Sequence, residues 1–430
     1  MNRRDTEDQG PPFVGGAGPT SPNLADDFHP FDLDSPFAFY ARARAEAPVF
    51  YSTDLDFWVV TRYEDVRAVF RDPQAFSSEN AQAPYRARPA AVQEILGSGL
   101  TARSGLLGTQ PPDHTRLRSF ISKAFTPARV ALLEPRVREL AVGMIERMAP
   151  RGRADWVAEL TYDLPALVIF ILLGVPETDV ERVKRWARSR LYLNFGDLPA
   201  EEQVPHAHNV VTYWRYCEEL VEARFAEPTD DLPGDLVRVY QEGDRSLSKE
   251  EITGLVFAQL TAGHETTTAL LSTGLLELLR HRDRWQAICE DPNLIRPTVE
   301  ELLRVCAPVV AVKRRARRAA RVGGVDIPEG GNVLLLLGSA NHDETVFEQP
   351  DGVDALRPNL HQHLAFGHGI HRCLGAPLAR LEAEVVLQEL TGRLPHARLV
   401  EDQDITFPSN STFRGPRSLL VEWEGVGVRS

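Results

Sequence analysis

The chain has 430 residues, 43% hydrophobic and 25% charged, which is ordinary for a globular protein and enough for a large core. Its formal net charge of −13 argues against a nucleic-acid partner, because cations dominate the grip on phosphate. Four widely spaced cysteines (Cys217, Cys289, Cys306, Cys373) form no C-x-x-C pair, which suits a reducing compartment better than a disulfide framework.

In chain order, residues 1 to about 27 are rich in Gly, Pro, Asp and Asn, lack an apolar run, and are expected to be disordered rather than a signal peptide. The longest apolar run, Leu164 to Val175, falls short of the about 20 residues that cross a bilayer, so a cytoplasmic protein with no membrane partner is expected. From Phe28 onward the patterns predict a short helix over 35–47, then strand-like runs Val49–Tyr51 and Phe57–Thr61 around a turn at Asp54-Leu55-Asp56. A helix over Tyr63–Phe70 ends at Asp72-Pro73. Residues 76–110 read as irregular, and loops of that length are functional or mobile.

Pro111 to Arg118 opens a helix on which His114 and Arg118, four apart, share a face. A solvated basic face is the plain reading; a grip on a carboxylate is the functional one. Helical patterns follow over 128–150, 154–173, 178–194 and 203–226, with 194–205 as a linker.

The longest helix is predicted over Lys249 to about Arg280, capped by Ser248 and Glu251 in a capping-box pattern. At 1.5 Å per residue it would span roughly 48 Å. Its middle, Ala262-Gly263-His264-Glu265-Thr266-Thr267-Thr268, is poor helical sequence. Packing can tolerate such a weak segment. Alternatively, Ala262 and Gly263 let a flat ligand approach, and Thr266 takes the carbonyl four residues back, opening the helix into a polar notch.

Glu301 and Arg304 stand at i,i+3, ordinarily a surface pair worth well under about 1 kcal/mol. Lys313 to Arg321 holds six basic residues in nine, which suggests an anionic partner. A hairpin over Gly323–Gly330, a strand over Asn332–Leu337 and a closing strand over Leu419–Trp423 complete the elements.

Between them lies Phe366-Gly367-His368-Gly369-Ile370-His371-Arg372-Cys373-Leu374-Gly375. Two glycines allow a tight loop. A helix follows, with Pro377 in its first turn and Gly392 near its end. A cysteine at a helix N-terminus is biased toward thiolate. From the residues alone, Cys373 is a buried structural thiol, a nucleophile or a metal ligand.

The spacing Phe-x-x-Gly-x-x-x-Cys-x-Gly, with His371 two before the cysteine, resembles the haem loop of the cytochrome P450 family. The likeness covers about Phe28 to Trp423 and rests on four motifs in family order. It implies a mainly α fold with small β-sheets, and a long central helix across the distal haem face. Residues 28–430 would form one haem domain. It also implies that Cys373 ligates the iron of haem b through its thiolate, with Phe366 beside the cofactor. His114, Arg118, Arg314 and His371 would hold the propionates. Ala262-Gly263-His264-Glu265-Thr266 resembles the family's oxygen-binding groove, in which Thr266 and Glu265 would direct protons toward dioxygen. Glu301 and Arg304 would be buried, joined by Arg357. Residues 76–110 would form part of the pocket lid, Ala307 to Val312 would line the pocket, and Phe407 to Gly415 would dip into it. The remaining arginines of the basic run are left to solvent. His342 stands where the family commonly has Arg, and Gly352-Val353 is also a departure.

Phe57 to Val60, Ala262 to Thr267 and Gly338 to Asn341 are most similar to bacterial haem domains fused to a reductase. With no reductase in this chain, electrons are expected from a separate ferredoxin and ferredoxin reductase drawing on NAD(P)H. The implied activity is a monooxygenase using O₂ to hydroxylate, dealkylate or otherwise oxidise a small organic substrate. A haem-thiolate enzyme with an atypical outcome, oxidative coupling or peroxide-driven oxidation, is the alternative. A non-enzymatic haem protein is disfavoured by the intact Glu265-Thr266 segment.

Overall fold

The helix Lys249–Arg280 starts where its capping residues dictate: Ser248 Oγ accepts from the Glu251 N–H at 3.1 Å, and the Glu251 carboxylate accepts from the Ser248 N–H at 2.9 Å. Most of its side chains are buried on every face, so it is the axis of the core rather than a surface helix. Around it lie the helices Glu134–Met148, Asp163–Leu172, Val180–Phe195, Ala200–Ala226, Ile295–Val305 and Ala376–Arg393, and their apolar faces form one cluster with it. This computed structural model describes residues 22–100, 105–242 and 247–424.

Beside the helices stands a five-stranded sheet, in the order Val49–Ser52, Phe57–Val60, Asn332–Leu336, Ala311–Ala316, Phe76–Ser77. The first two strands form the expected hairpin, with Asp56 at φ 58° in its turn. Phe57–Val60 then pairs in parallel with Asn332–Leu336, Trp58 opposite Val333. The second expected hairpin, Ala320–Val322 with Val325–Ile327, turns on Gly323 and Gly324, both at positive φ. The mainly α architecture with small sheets is as expected.

Several sequence expectations change. Part of the segment expected to be disordered is a helical turn, Pro22–Asp26, whose Leu24 is 2% exposed in a cluster with Phe28 and Tyr40; residues 1–21 lie outside the described residues. The stretch 76–110 is not wholly irregular: Phe76–Ser77 joins the sheet and Ala90–Gly99 is a helix anchored by buried Val92. The run 128–150 divides into Pro127–Ala131 and Glu134–Met148, the second with Pro135 in its first turn. The linker at 194–205 is shorter than expected, because Ala200–Ala226 begins before Pro205. Helices Leu232–Gln241 and Arg282–Glu290 escaped the periodicity reading. Among the described residues no helix is long and apolar enough to cross a membrane.

Glu301 and Arg304 are fully buried, not a surface pair. Arg304 donates to both carboxylate oxygens, at 2.8 and 2.9 Å, and Arg357 adds a third bond at 3.0 Å. Arg304 also donates to the carbonyls of Asn341, Pro350 and Gly352, tying the meander before the cysteine loop to the core. The unusual His342 is buried against Phe37, ring centroids 4.6 Å apart, and its Nδ1 lies 2.8 Å from the Gly338 carbonyl. Burial pushes its pKa down to about 4, so it packs as a neutral ring.

Candidate functional site

The loop before Ala376–Arg393 is shaped by its glycines. Gly367 and Gly369 have φ of +65° and +72°, and a Cβ on Gly369 would meet the Phe70 carbonyl oxygen at 2.5 Å. The Cys373 N–H donates to the Phe366 carbonyl at 2.9 Å and closes the loop. Phe366 lies under the Arg380 guanidinium, 4.6 Å from its ring centroid. Cys217 and Cys306 are buried, whereas the Cys373 side chain is exposed. Surrounding protein still desolvates the thiol and pushes its pKa up, opposed by the N–H groups of Gly375 and Ala376 and by Arg118 and Arg372.

Four donors gather near this cysteine. His114 and His371 have ring centroids 4.3 Å apart. Arg118 Nη2 donates to the Arg372 carbonyl at 2.6 Å. Arg314 is 4% exposed, lies over the Phe70 ring and donates to the Lys313 carbonyl at 2.7 Å. Burial first, then His114, Arg314 and Arg118, push the His371 pKa down to about 3, which shows how close the four are. Both ring nitrogens of His114 are buried with no hydrogen-bond partner, and among the described residues no carboxylate pairs with Arg314. Two arginines with no acid beside them among the described residues and a histidine with both ring nitrogens unpartnered make a site for an anion.

The central helix is locally uncovered. Ala262 is exposed and Glu265 and Thr266 are half-buried in an otherwise buried stretch. Thr266 Oγ1 donates to the Ala262 carbonyl at 2.9 Å, the back-bond its position suggested, yet the helix stays α-helical throughout. The close approach that Gly263 permits is that of Ile169: a Cβ there would lie 2.6 Å from it. The Glu265 carboxylate sits 3.2 Å from Arg188 Nε, whose guanidinium stacks 4.4 Å over Tyr162.

The family model "Cytochrome P450" matches residues 206–408. The chain is 37% identical over 397 residues to "Cytochrome P450 monooxygenase PikC" of Streptomyces venezuelae, covering 90% of this chain and 91% of that one. The chain belongs to the cytochrome P450 family. Among solved structures, "cytochrome P450 CREJ in complex with (4-ethylphenyl) dihydrogen phosphate" matches with a TM-score of 0.91 and 44% identity, over 93% of this chain and 100% of that one. The full-length CYP116B46 from Tepidiphilus thermophilus matches at TM-score 0.90 and 35% identity, over 94% of this chain and 54% of that one.

This P450 is therefore a monooxygenase of a bacterial type, and its family binds haem. The donor set fits that group: a thiol at a helix N-terminus for the metal, and two arginines with no acid beside them and an unpartnered histidine for two carboxylates. Sequence reasoning missed Ser78, whose Oγ lies 2.9 Å from His371 Nε2 and accepts from Gln110 at 2.8 Å. It also missed Arg188 and buried Glu300, which Arg380, His361 and His363 surround. Each of these partnerships spans a long stretch of chain, so no local pattern announces it.

Proposed function

We propose that Cys373 ligates the haem iron, that His114, Arg118, Arg314 and His371 hold its propionates, and that Ala262 to Thr266 form the oxygen side of the pocket. The observation that carries this reading is the exposed thiol beside Arg118 and Arg314, which no acid pairs with among the described residues, and beside His114, whose ring nitrogens have no partner. Haem held there supplies the chemistry that activates dioxygen. The protein's own part is positional. The Thr266 proton is given to the Ala262 carbonyl, so its oxygen lone pairs are free to hold a water. Glu265 is engaged by Arg188, so proton delivery from that carboxylate requires the contact to open.

In this reading electrons come from a ferredoxin and its NAD(P)H-dependent reductase, as the family's general need for redox partners supports. The product is an oxidised small organic compound, and the aryl phosphate held by a 44% identical relative favours an aromatic one. The test is the reduced carbonyl spectrum. The wild type should show the red-shifted band of thiolate ligation, and Cys373→Ala should lose it. A wild-type band at the position of histidine-ligated haem overturns the assignment.

A further inference from the structure

Three cations away from the cysteine, two buried and one half-buried, have no acid paired with them among the described residues. Lys313 is 1% exposed on strand Ala311–Ala316, although it sits in a basic run whose arginines beyond Arg314 face solvent. Its ammonium donates to the Ala83 carbonyl and lies 3.9 Å over the Tyr85 ring and 5.1 Å from that of Phe195. Arg88 is half-buried. One of its terminal nitrogens donates to Asn194 Oδ1 at 2.7 Å, and its Nε is buried without a partner. Arg190, one helical turn before Asn194, is 5% exposed and donates to Gln82 at 2.6 Å and Thr261 at 3.3 Å.

Burial pushes all three down: Lys313 to about 7, with Arg88 adding repulsion, and Arg190 to about 10. Among the described residues none of them has a carboxylate partner. The acid on this rim, Asp197, is taken by exposed Arg86 at 3.4 Å. Two hydroxyls complete the group. Tyr85 Oη faces Ser411 and Thr412 without closing a well-aligned bond to either, and both it and Thr412 Oγ1 are buried and unpartnered.

A buried cation without a counter-charge is costly, and neutral acceptors recover only part of its lost hydration. An anion arriving with the substrate removes that cost. Lys313, Arg88, Tyr85 and Thr412 offer an ammonium, a guanidinium and two hydroxyls, and two positive charges are more than one carboxylate balances. They suit a group with three oxygens and nearly two charges. The neighbouring rings of Phe195 and Phe413, centroids 5.3 Å apart, favour an aromatic body. Arg190 reaches Thr261, the residue before Ala262, which links this group to the uncovered stretch of the central helix.

We propose that Lys313 and Arg88, with the Tyr85 and Thr412 hydroxyls, form a subsite for the phosphate of an aryl phosphate monoester, whose hydrocarbon end lies toward Ala262 to Thr266. The proposal rests on the monooxygenase reading above for what happens at that far end.

The test uses the haem-loaded full chain, first checked for the thiolate carbonyl band so that failure of the function reading is seen separately. Calorimetry and the substrate-induced shift of the haem band measure affinity for 4-ethylphenyl phosphate, 4-ethylphenol and 4-ethylbenzoate. The phosphate should bind about tenfold or more tighter than the phenol, the effect of at least one charge-assisted hydrogen bond. Lys313→Met and Arg88→Leu should each remove about that factor and leave phenol affinity unchanged. Tyr85→Phe, which removes one oxygen and keeps the ring, should weaken the phosphate alone. Equal binding of phosphate and phenol, or no phosphate binding, overturns the proposal. So does a benzoate that binds as tightly as the phosphate, or a Lys313→Met variant with unchanged preference.

Discussion

Replacing Glu301 by Gln tests whether the buried ion cluster holds the fold around the cysteine loop. The carboxylate is 0% exposed and accepts four hydrogen bonds, two from Arg304, one from Arg357 and one from the Asp354 N–H. Gln keeps the shape but removes the charge and turns one acceptor into a donor facing guanidinium N–H groups. Two guanidiniums, 0% and 4% exposed, would then stay buried without an anion. Breaking such a cluster on one side costs about 3–5 kcal/mol, against a total stability of about 5–15 kcal/mol. Reversible urea unfolding of the haem-loaded protein, with the denaturant slope unchanged, would measure it. The acid dependence follows with its sign. Burial raises the Glu301 pKa, but the Arg304 bonds and the other partners outweigh it, so the folded value lies below the usual range. Its stabilisation is therefore complete above the unfolded glutamate value of about 4.3 and is lost as pH falls through the folded one. A Gln variant within about 1 kcal/mol of wild type, with an unchanged acid limb, would refute the reasoning.

Thr266→Ala should bind haem and substrate normally but consume NAD(P)H while releasing much of its oxygen as peroxide, read as product formed per electron. Unchanged coupling would show the hydroxyl to be dispensable and favour atypical haem-thiolate chemistry. Glu265→Gln should instead slow turnover while coupling holds. Arg314→Ala and His114→Ala should each weaken haem retention by about 1.5–3 kcal/mol, roughly ten- to a hundredfold in the rate of transfer to an acceptor apoprotein. Retention equal to wild type in both would remove the propionate assignment.

Much of the site was legible because its determinants are local. The positive-φ glycines, the cysteine two residues after His371 and the helix start at Ala376 fall within one short stretch, and the capping box of the central helix lies within four residues. The Thr266 back-bond is a one-turn contact, so sequence spacing suffices for it. What sequence concealed is set by distant partners. Glu265 meets Arg188 across 77 positions, and Glu300 meets Arg380 across 80. The helix Ala90–Gly99 was hidden differently: Val92, Ile95 and Leu96 fall at helical spacing and pack on the core, but the stripe is short and Gly97 and Gly99 interrupt it.

Lys313 shows why a charge run cannot be read by composition. In the strand Ala311–Ala316, Arg315 faces solvent while Lys313 and Arg314 are both buried, and adjacent residues of a strand point to opposite faces. The same stretch therefore sends one cation toward the cysteine side and another toward Tyr85 and Phe195. Buried charge in this protein comes in two kinds. Glu300 and Glu301 are surrounded by arginines and histidines, balanced within the chain, and serve the fold. Among the described residues, the arginines beside His371 and the cations around Lys313 have no acid of their own. An interior cation that the fold does not pair with an acid regains part of its lost hydration energy when an anion binds beside it. On the two proposals above, the two groups would hold the two ligands of the pocket, the prosthetic group and the substrate, and both would be anions.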